Sequence, residues 1–403
     1  MRPLTAATAA LSLWICVAGC DRGITLTELS IDAAPGAAQP HLAGGADMPV
    51  VLSWLEPAGA GTALRFATLA DAGWNPPRTL RSGAGWFVNW ADFPSVVPVG
   101  ADLWAAHWLV KQPGGAYAYD IVMAVSTDAG ASWSGDIFLH DDGTATEHGF
   151  VSLFPWADGV GALWLDGRET GAPNGAMTLR AAVVGADAEV HGPAQVDDRV
   201  CDCCPTAVAV AATGPVAVYR DRSADEIRDI AVVRAVDGVW QPPARVADDG
   251  WRISGCPVNG PAIAALGDRV VVAWFTAAGQ RARVRAAFSA DSGASFGAPV
   301  DVAAGDVSGQ VAVVLDGNGH AFVSWLEGSV RLAETGAMEL RVSRVTPEAG
   351  AGPSHPIAHT GAGRPAGVPQ MLLNDGQLLF AWTDTLEETL RVRSARVDAD
   401  RVR

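Results

Sequence analysis

Four cysteines stand in two short clusters, Cys201-Asp202-Cys203-Cys204-Pro205 and Cys256-Pro257. Thiols in this number can do three kinds of chemistry. They can pair as two disulfides in an oxidising compartment, where four cysteines allow three pairings. As thiolates they can hold a soft ion such as Cu(I) or Zn, with His107 and His148 as helpers. Cys203 and Cys204 can also close on each other as a strained vicinal disulfide, a flat wall against a ligand. Two disulfides are the expectation, one of them stapling the two loops through Cys256. Adjacent cysteines in strand geometry do not easily ligate one ion.

Arginines and carboxylates form the second set. Arg168 lies in Asp166-Gly167-Arg168-Glu169, and Arg220 and Arg222 flank Asp221; Arg228, Arg252 and Arg364 follow. Guanidiniums converging from several loops would clamp a ligand carboxylate in bidentate fashion. Asp92, Glu147, Glu169, Asp221, Glu226 and Asp229 are candidate acids and bases, although each is also an ordinary turn cap or arginine partner. Trp86, Phe87, Asn89, Trp90 and Asp92 crowd one loop, and Trp251, Arg252 and Asn259 another. Rings beside amides and charges stack on sugars and bond their hydroxyls. The same rings could instead plug a channel.

The elements that must carry these loops repeat along the chain. Trp54, Trp108, Trp164, Tyr219, Trp274, Trp325 and Trp382 recur every 51 to 57 residues, each after an apolar or β-branched run. Five copies carry an acid two residues later, at Glu56, Asp166, Asp221, Glu327 and Asp384. This period suits four-stranded propeller blades. The expected fold is therefore all-β, a ring of seven blades, with six as the alternative. Residues 24–31 form a strand outside any complete repeat and are expected to close the last blade, which removes open edges. Residues 33–46 read as a linker, and 47–403 as the propeller. In the second repeat the expected strands are 95–99, 102–110, 120–126 and 136–140. Loops leading into the blades share one face, and that face holds the unusual residues.

Composition agrees. The 403 residues are 49% hydrophobic and 18% charged, with 45 Gly and 25 Pro, as many short strands and tight turns require. The formal net charge is −16, which excludes phosphate-driven nucleic-acid binding. A core of this size needs no metal or disulfide for stability. A structural Ca²⁺ or a soft metal at the cysteines are the only cofactors the residues suggest, and neither is required. The chain is expected to be monomeric.

At the N-terminus, Arg2 and the apolar run 4–17 read as an export signal too short to span a bilayer. Val17-Ala18-Gly19-Cys20 resembles the lipobox of bacterial lipoproteins. That resemblance implies removal of residues 1–19, a 20–46 lipidated segment with palmitate-type acylation at Cys20, and an anchor in the cell envelope. Asp21 resembles the inner-membrane retention residue of enteric bacteria.

Ser126-Thr127-Asp128-Ala129-Gly130-Ala131-Ser132-Trp133 and Ser289-Ala290-Asp291-Ser292-Gly293-Ala294-Ser295-Phe296 share Ser-x-Asp-x-Gly-x-x-aromatic, a hairpin pattern. It resembles the Asp-box, or BNR repeat, of the sialidase-like propellers, with shorter versions at 71–74 and 237–240. The resemblance implies a glycan-binding or glycan-hydrolysing protein, an exo-sialidase or related glycoside hydrolase. Its members use an arginine triad, a tyrosine nucleophile primed by glutamate, and an acid/base aspartate. Carried onto this chain, it implies Asp92, Asp221, Arg168, Arg220 and Arg228 as catalytic residues. Trp90, His148, Trp251, Arg252, Asn259 and Arg364 would line the ligand. This sequence departs from the family in having no Arg-Ile-Pro motif and only three tyrosines, Tyr117, Tyr119 and Tyr219, the last in the packing column. A metal- or redox-active envelope lipoprotein, or a plugged scaffold for envelope partners, are the other readings.

Overall fold

The computed structural model describes residues 24–45, 48–328, 336–386 and 388–403. Cys20 and the export segment lie outside these residues. The described chain folds into seven antiparallel sheets, with only three short 3-10 turns, at Ala278–Gln280, Arg364–Ala366 and Ala399–Arg401. No helix among the described residues is long and apolar enough to cross a membrane.

Each sheet is one blade, entered at its innermost strand and left at its rim. Blade 2 runs Ser95–Pro98, Trp104–Lys111, Tyr119–Ser126 and Ile137–Phe138, close to the strands read from sequence. The innermost strands pack against one another round the ring, and Ala38–Gly45 of blade 1 meets Gln370–Asn374 of blade 7. Thr27–Leu29 completes blade 7 by pairing with Arg391–Asp398, Thr27 opposite Arg396 and Leu29 opposite Ser394. The Ser394 hydroxyl donates to the Leu29 carbonyl and accepts the Trp74 indole N–H, which locks blade 7 to blade 1.

One boundary differs from the sequence reading. Within the run taken as a linker, Ala38–Gly45 is the innermost strand of blade 1, paired with Met48–Ala58 and with Ala38, Leu42 and Ala43 buried. The register shifts between Ala38 and His41, so Gln39-Pro40 marks a bulge rather than a flexible tether. The same irregularity interrupts the innermost strands of blade 3, after Gly149, and blade 6, after Gly309. Gln39, Phe150 and Gln310 all adopt positive φ there, at 53°, 54° and 54°.

The repeated column explains itself in the packing. Trp54, Trp164 and Trp325 are buried between blades, and each donates its indole N–H to the acid two residues on, Glu56, Asp166 or Glu327, at 2.8–2.9 Å. In these three blades the acid satisfies a buried indole; Trp274 turns instead to Asp249, and the Trp382 N–H is buried without a partner among the described residues although Asp384 stands two residues on. Tyr219 departs from the rule, giving its hydroxyl to Asp197 rather than to Asp221.

The two full Asp boxes are superposable turns. Asp128 Oδ1 accepts the Ser126 hydroxyl at 2.7 Å and the Ser132 N–H at 2.8 Å, and Asp291 does the same with Ser289 and Ser295. The Gly130 and Gly293 amides return to those serines at 2.8 and 2.9 Å. A Cβ on Gly130 would sit 3.0 Å from the Trp104 ring, so positive φ and close packing both call for glycine.

Candidate functional site

The loops leading into blades 2, 3, 4 and 5 bring two clusters to one face. The first is acidic. Asp92, in the loop before blade 2, is buried; its Oδ1 takes the Phe150 N–H at 2.8 Å and its Oδ2 the Tyr119 hydroxyl at 2.6 Å. Asn89 fixes this loop by accepting the Ala91 N–H at 2.9 Å. The Tyr119 oxygen also lies 3.0 Å from Glu147 Oε1, and Phe87 stacks on its ring at 3.9 Å. A Cβ on Gly149 would fall 1.9 Å from Asp92 Oδ2, so this contact exists only because residue 149 is glycine.

One hydroxyl carries one proton. Tyr119 cannot give a full hydrogen bond to both carboxylates, so the geometry favours a proton on one of Asp92 and Glu147. Burial drives this, pushing Asp92 up to about 7 against its hydrogen bonds from Tyr119 and Phe150. Burial and then the Asp92 charge push Glu147 up to about 8, with Asp202 adding to the push. Burial and the two carboxylates also raise Tyr119 well above an ordinary phenol. Fully buried and held protonated, Tyr119 is not a nucleophile. Glu147 is half-buried and is the member of the trio that reaches the face.

The second cluster is the cysteines. Cys201, Cys203 and Cys204 come from the turn before blade 4, held by the Cys201 N–H on the Arg220 carbonyl at 2.9 Å. Cys201 Sγ lies 3.8 Å from Cys203 Sγ and 3.6 Å from Cys204 Sγ. Cys256 arrives from the loop before blade 5, is exposed, and lies 3.7 Å from Asp202. All four are free thiols. The two expected disulfides are absent, since bonded sulfurs lie about 2.05 Å apart; the turn fans three sulfurs round a common point instead. Hydrogen bonds from Cys203 and Cys204, then Arg228, hold Cys201 well below an ordinary thiol. The Cys203 thiol is raised by its contacts with Cys201 and Cys204 and then by burial, and burial pushes Cys204 up to about 12.

The arginines do not converge. Arg168 is spent on Asp166 at 2.7 Å and Asp142 at 3.2 Å. Arg220 is buried, donating to the carbonyls of Asn259, Arg228 and Phe275 with its guanidinium 4.8 Å above Trp251. Arg228, also buried, donates to Cys201 Sγ at 3.2 Å, Asp202 at 3.3 Å and Glu226 at 2.9 Å. Arg252 and Arg364 are exposed on separate loops.

Other predicted residues turn out to support the backbone. The bulge amides of blades 1, 3 and 6 are each capped by a side chain from elsewhere: Gln39 by Thr383, Phe150 by Asp92 and Gln310 by Asn259. Asn259 also donates to the Ser308 carbonyl, which leaves it a brace. Trp251 is buried against Phe275, and Trp90 is half-buried in an apolar cluster with Phe150 and Val258. Trp86 stacks on Trp108 within the core. Asp221 accepts the Arg222 N–H at 2.7 Å, and burial raises it to about 6. His107 is buried against Ser95, away from the thiols.

His148 belongs to a third group with His140, Asp120, Asp142 and Asp166. Its Nδ1 faces the Tyr119 carbonyl at 3.2 Å, its Nε2 faces Asp142 Oδ2 at 3.1 Å, and its ring stacks on His140 at 3.8 Å. Arg168 already supplies a cation there. A cavity of about 570 Å³ opens on the Asp-box side, lined by Arg269, Phe288, His320 and Glu348, away from both clusters.

No family model and no curated protein matches the chain. Solved structures do. The α-L-arabinanase of Penicillium chrysogenum, complexed with arabinobiose, is 14% identical over 94% of this chain and 100% of its own, with a TM-score of 0.50. The GH93 α-L-arabinofuranosidase of Fusarium graminearum is 11% identical over 94% and 98%, TM-score 0.52. The NanB sialidase of Streptococcus pneumoniae is 10% identical over 94% and 71%, TM-score 0.47, too low to argue from. The likeness is one of fold. By name these neighbours are an arabinanase, an arabinofuranosidase and a sialidase, and at such identity they carry no residue roles across.

Proposed function

We propose that this chain binds or hydrolyses a neutral glycan at the face of the acid cluster, with Glu147 as proton donor. The observation that carries the reading is the Tyr119 hydroxyl shared between Asp92 and Glu147, which favours a proton on the pair. A half-buried carboxylic acid held neutral near pH 7 is what a glycosidic oxygen needs from a general acid. Asp202, about two-fifths exposed and ion-paired with Arg228, supplies the second carboxylate, as base toward water. Asp92 and Tyr119 position Glu147 and set its proton affinity; neither touches substrate.

A neutral sugar fits better than a sialoside. Arg168, Arg220 and Arg228 each serve a different partner, so the carboxylate clamp that the sialidase resemblance implied is not built from these three. The arabinobiose in two of the fold neighbours gives the first class to try. The apolar N-terminal run and the lipobox-like Val17-Ala18-Gly19-Cys20 support a lipid-anchored protein of the bacterial envelope on this reading.

The test is a panel of aryl glycosides, with α-L-arabinofuranoside and sialoside at its two ends, assayed with the wild type and Glu147→Gln. Turnover of a neutral glycoside, reduced roughly 100-fold or more in Glu147→Gln, is expected. No turnover and no binding across the panel, or equal rates in the variant, would overturn it. Anchoring is checked by a diacylglycerol mass increment at Cys20 and by release of Cys20→Ser into the soluble fraction.

A further inference from the structure

We infer that Cys201, Cys203 and Cys204 are a binding site for a thiophilic d10 ion, Cu(I) or Zn(II), reached through an outer set made of Cys203, Asp202 and Cys256. The inner set contains neither Glu147 nor Asp202, so this inference goes beyond the glycan reading; only the outer, capturing set shares Asp202 with it.

The sulfur spacing carries the argument. An ion with thiolate bonds of about 2.3 Å sets neighbouring sulfurs about 3.8 Å apart in a tetrahedral site and about 4.0 Å apart in a trigonal one. Cys201 lies 3.6 and 3.8 Å from its two partners, and the three sulfurs fall within 4.8 Å of one another. The two Cys201 edges match such a site. The S–H···S contacts of Cys201 hold the three sulfurs at this spacing, so the donors stand together before an ion arrives. The fold does not need a staple here, because the ring is closed by its own strands.

Charge balance favours the same ion class. Three thiolates binding a monovalent or divalent cation leave net negative charge, and a buried guanidinium is at hand. Arg228 Nη1 donates to Cys201 Sγ at 3.2 Å, and the Arg220 carbonyl accepts the Cys201 N–H at 2.9 Å. Sulfur donors with no imidazole among them select Cu(I) and Zn(II) over harder ions. Binding would release one proton from each thiol that is still protonated, with no change of oxidation state.

The second donor group explains how an ion reaches a buried site. Asp202, Cys203 and Cys256 also bring their ligand atoms within 4.8 Å of one another, and Cys256 is exposed. Cys203 belongs to both groups. An ion captured outside by Cys256 and Asp202 can pass inward by exchanging ligands at Cys203, without dissociating.

The experiment uses the full chain with Cys16→Ser and Cys20→Ser, so that only these four thiols remain, purified anaerobically. Cu(I) and Zn(II) are titrated separately against chromophoric chelators, with native mass spectrometry for stoichiometry. One ion per chain is expected, and X-ray absorption should show about three sulfurs at about 2.2–2.3 Å. Cys201→Ser/Cys204→Ser should lose binding at least 100-fold, and Cys256→Ser should slow capture while changing final affinity less than about tenfold. Unfolding curves for each variant guard against misfolding, and retention of any glycosidase turnover separates this inference from the glycan reading. Absence of binding for both ions in folded wild type, binding unchanged in the double variant, or a denatured mass about four hydrogens low would each overturn it.

Discussion

The Tyr119 hydroxyl lies 2.6 Å from Asp92 Oδ2 and 3.0 Å from Glu147 Oε1, although the two acids come from loops before different blades. The proton this arrangement favours has a pH signature. Both acids are raised in the fold, to about 7 and about 8, above about 4 in the unfolded chain. Between those limits the folded state binds more protons than the unfolded state, so stability falls as pH rises from about 4 to about 8 and then levels. Thermal unfolding across that range should show the decline, and Glu147→Gln should flatten it. Turnover by Glu147 should fall above about pH 8, where the acid loses its proton.

Gly149 tests whether the acid pair depends on backbone approach. A methyl group there would fall 1.9 Å from Asp92 Oδ2 and 2.9 Å from the Tyr119 ring, and neither can retreat from its buried position. Gly149→Ala should cost roughly 1–3 kcal/mol in denaturant unfolding. Any pH dependence due to Glu147 should shift with it.

Tyr219 and Tyr119 should behave as packing and positioning tyrosines respectively. Tyr219→Phe removes only the bond to Asp197 and should cost about 1 kcal/mol of stability with turnover unchanged. Tyr119→Phe should instead move the pH profile, since it removes the group that couples Asp92 to Glu147. Equal pH profiles for Tyr119→Phe and wild type would remove the coupling.

Arg220 is a brace for three carbonyls from blades 4 and 5 and the loop between them. Arg220→Lys keeps the charge but loses the planar fork, leaving at least one buried carbonyl unpaired. A loss of roughly 2–4 kcal/mol is expected, read by chemical unfolding. No selective loss of affinity for anionic over neutral sugars should accompany it.

The closing strand should set the stability of the whole ring. Deleting residues 24–31 bares the edge of Arg391–Asp398 and strips the Leu29 and Ser394 contacts. The truncated chain should unfold at lower temperature and associate through that edge, as light scattering would show.

The architecture was legible in the sequence because a propeller writes itself as a repeat. The aromatic column, its acids two residues on and the Asp boxes are local patterns, each satisfied within one blade or between neighbours. Seven blades, four strands apiece and closure by residues 24–31 followed from them. The linker reading of Ala38–Gly45 failed because its Ala, Gly and Pro look like a tether, whereas pairing with Met48–Ala58, a tertiary fact, makes it a strand. The loops were legible as the functional face, but not what their side chains meet. Asp92 and Asn259 were chosen for polarity, yet both cap bulge amides that exist only once strands 148–156 and 307–315 are in place. Arg168, Arg220 and Arg228 were countable in the chain, but whether they face one ligand or three separate partners depends on blades 3 to 5 packing side by side. The proximity of Tyr119 to Glu147, and of three sulfurs to one another, is likewise a property of the closed ring. Sequence determined which chemistry was available at this face; tertiary packing decided which groups share a proton and which share a centre.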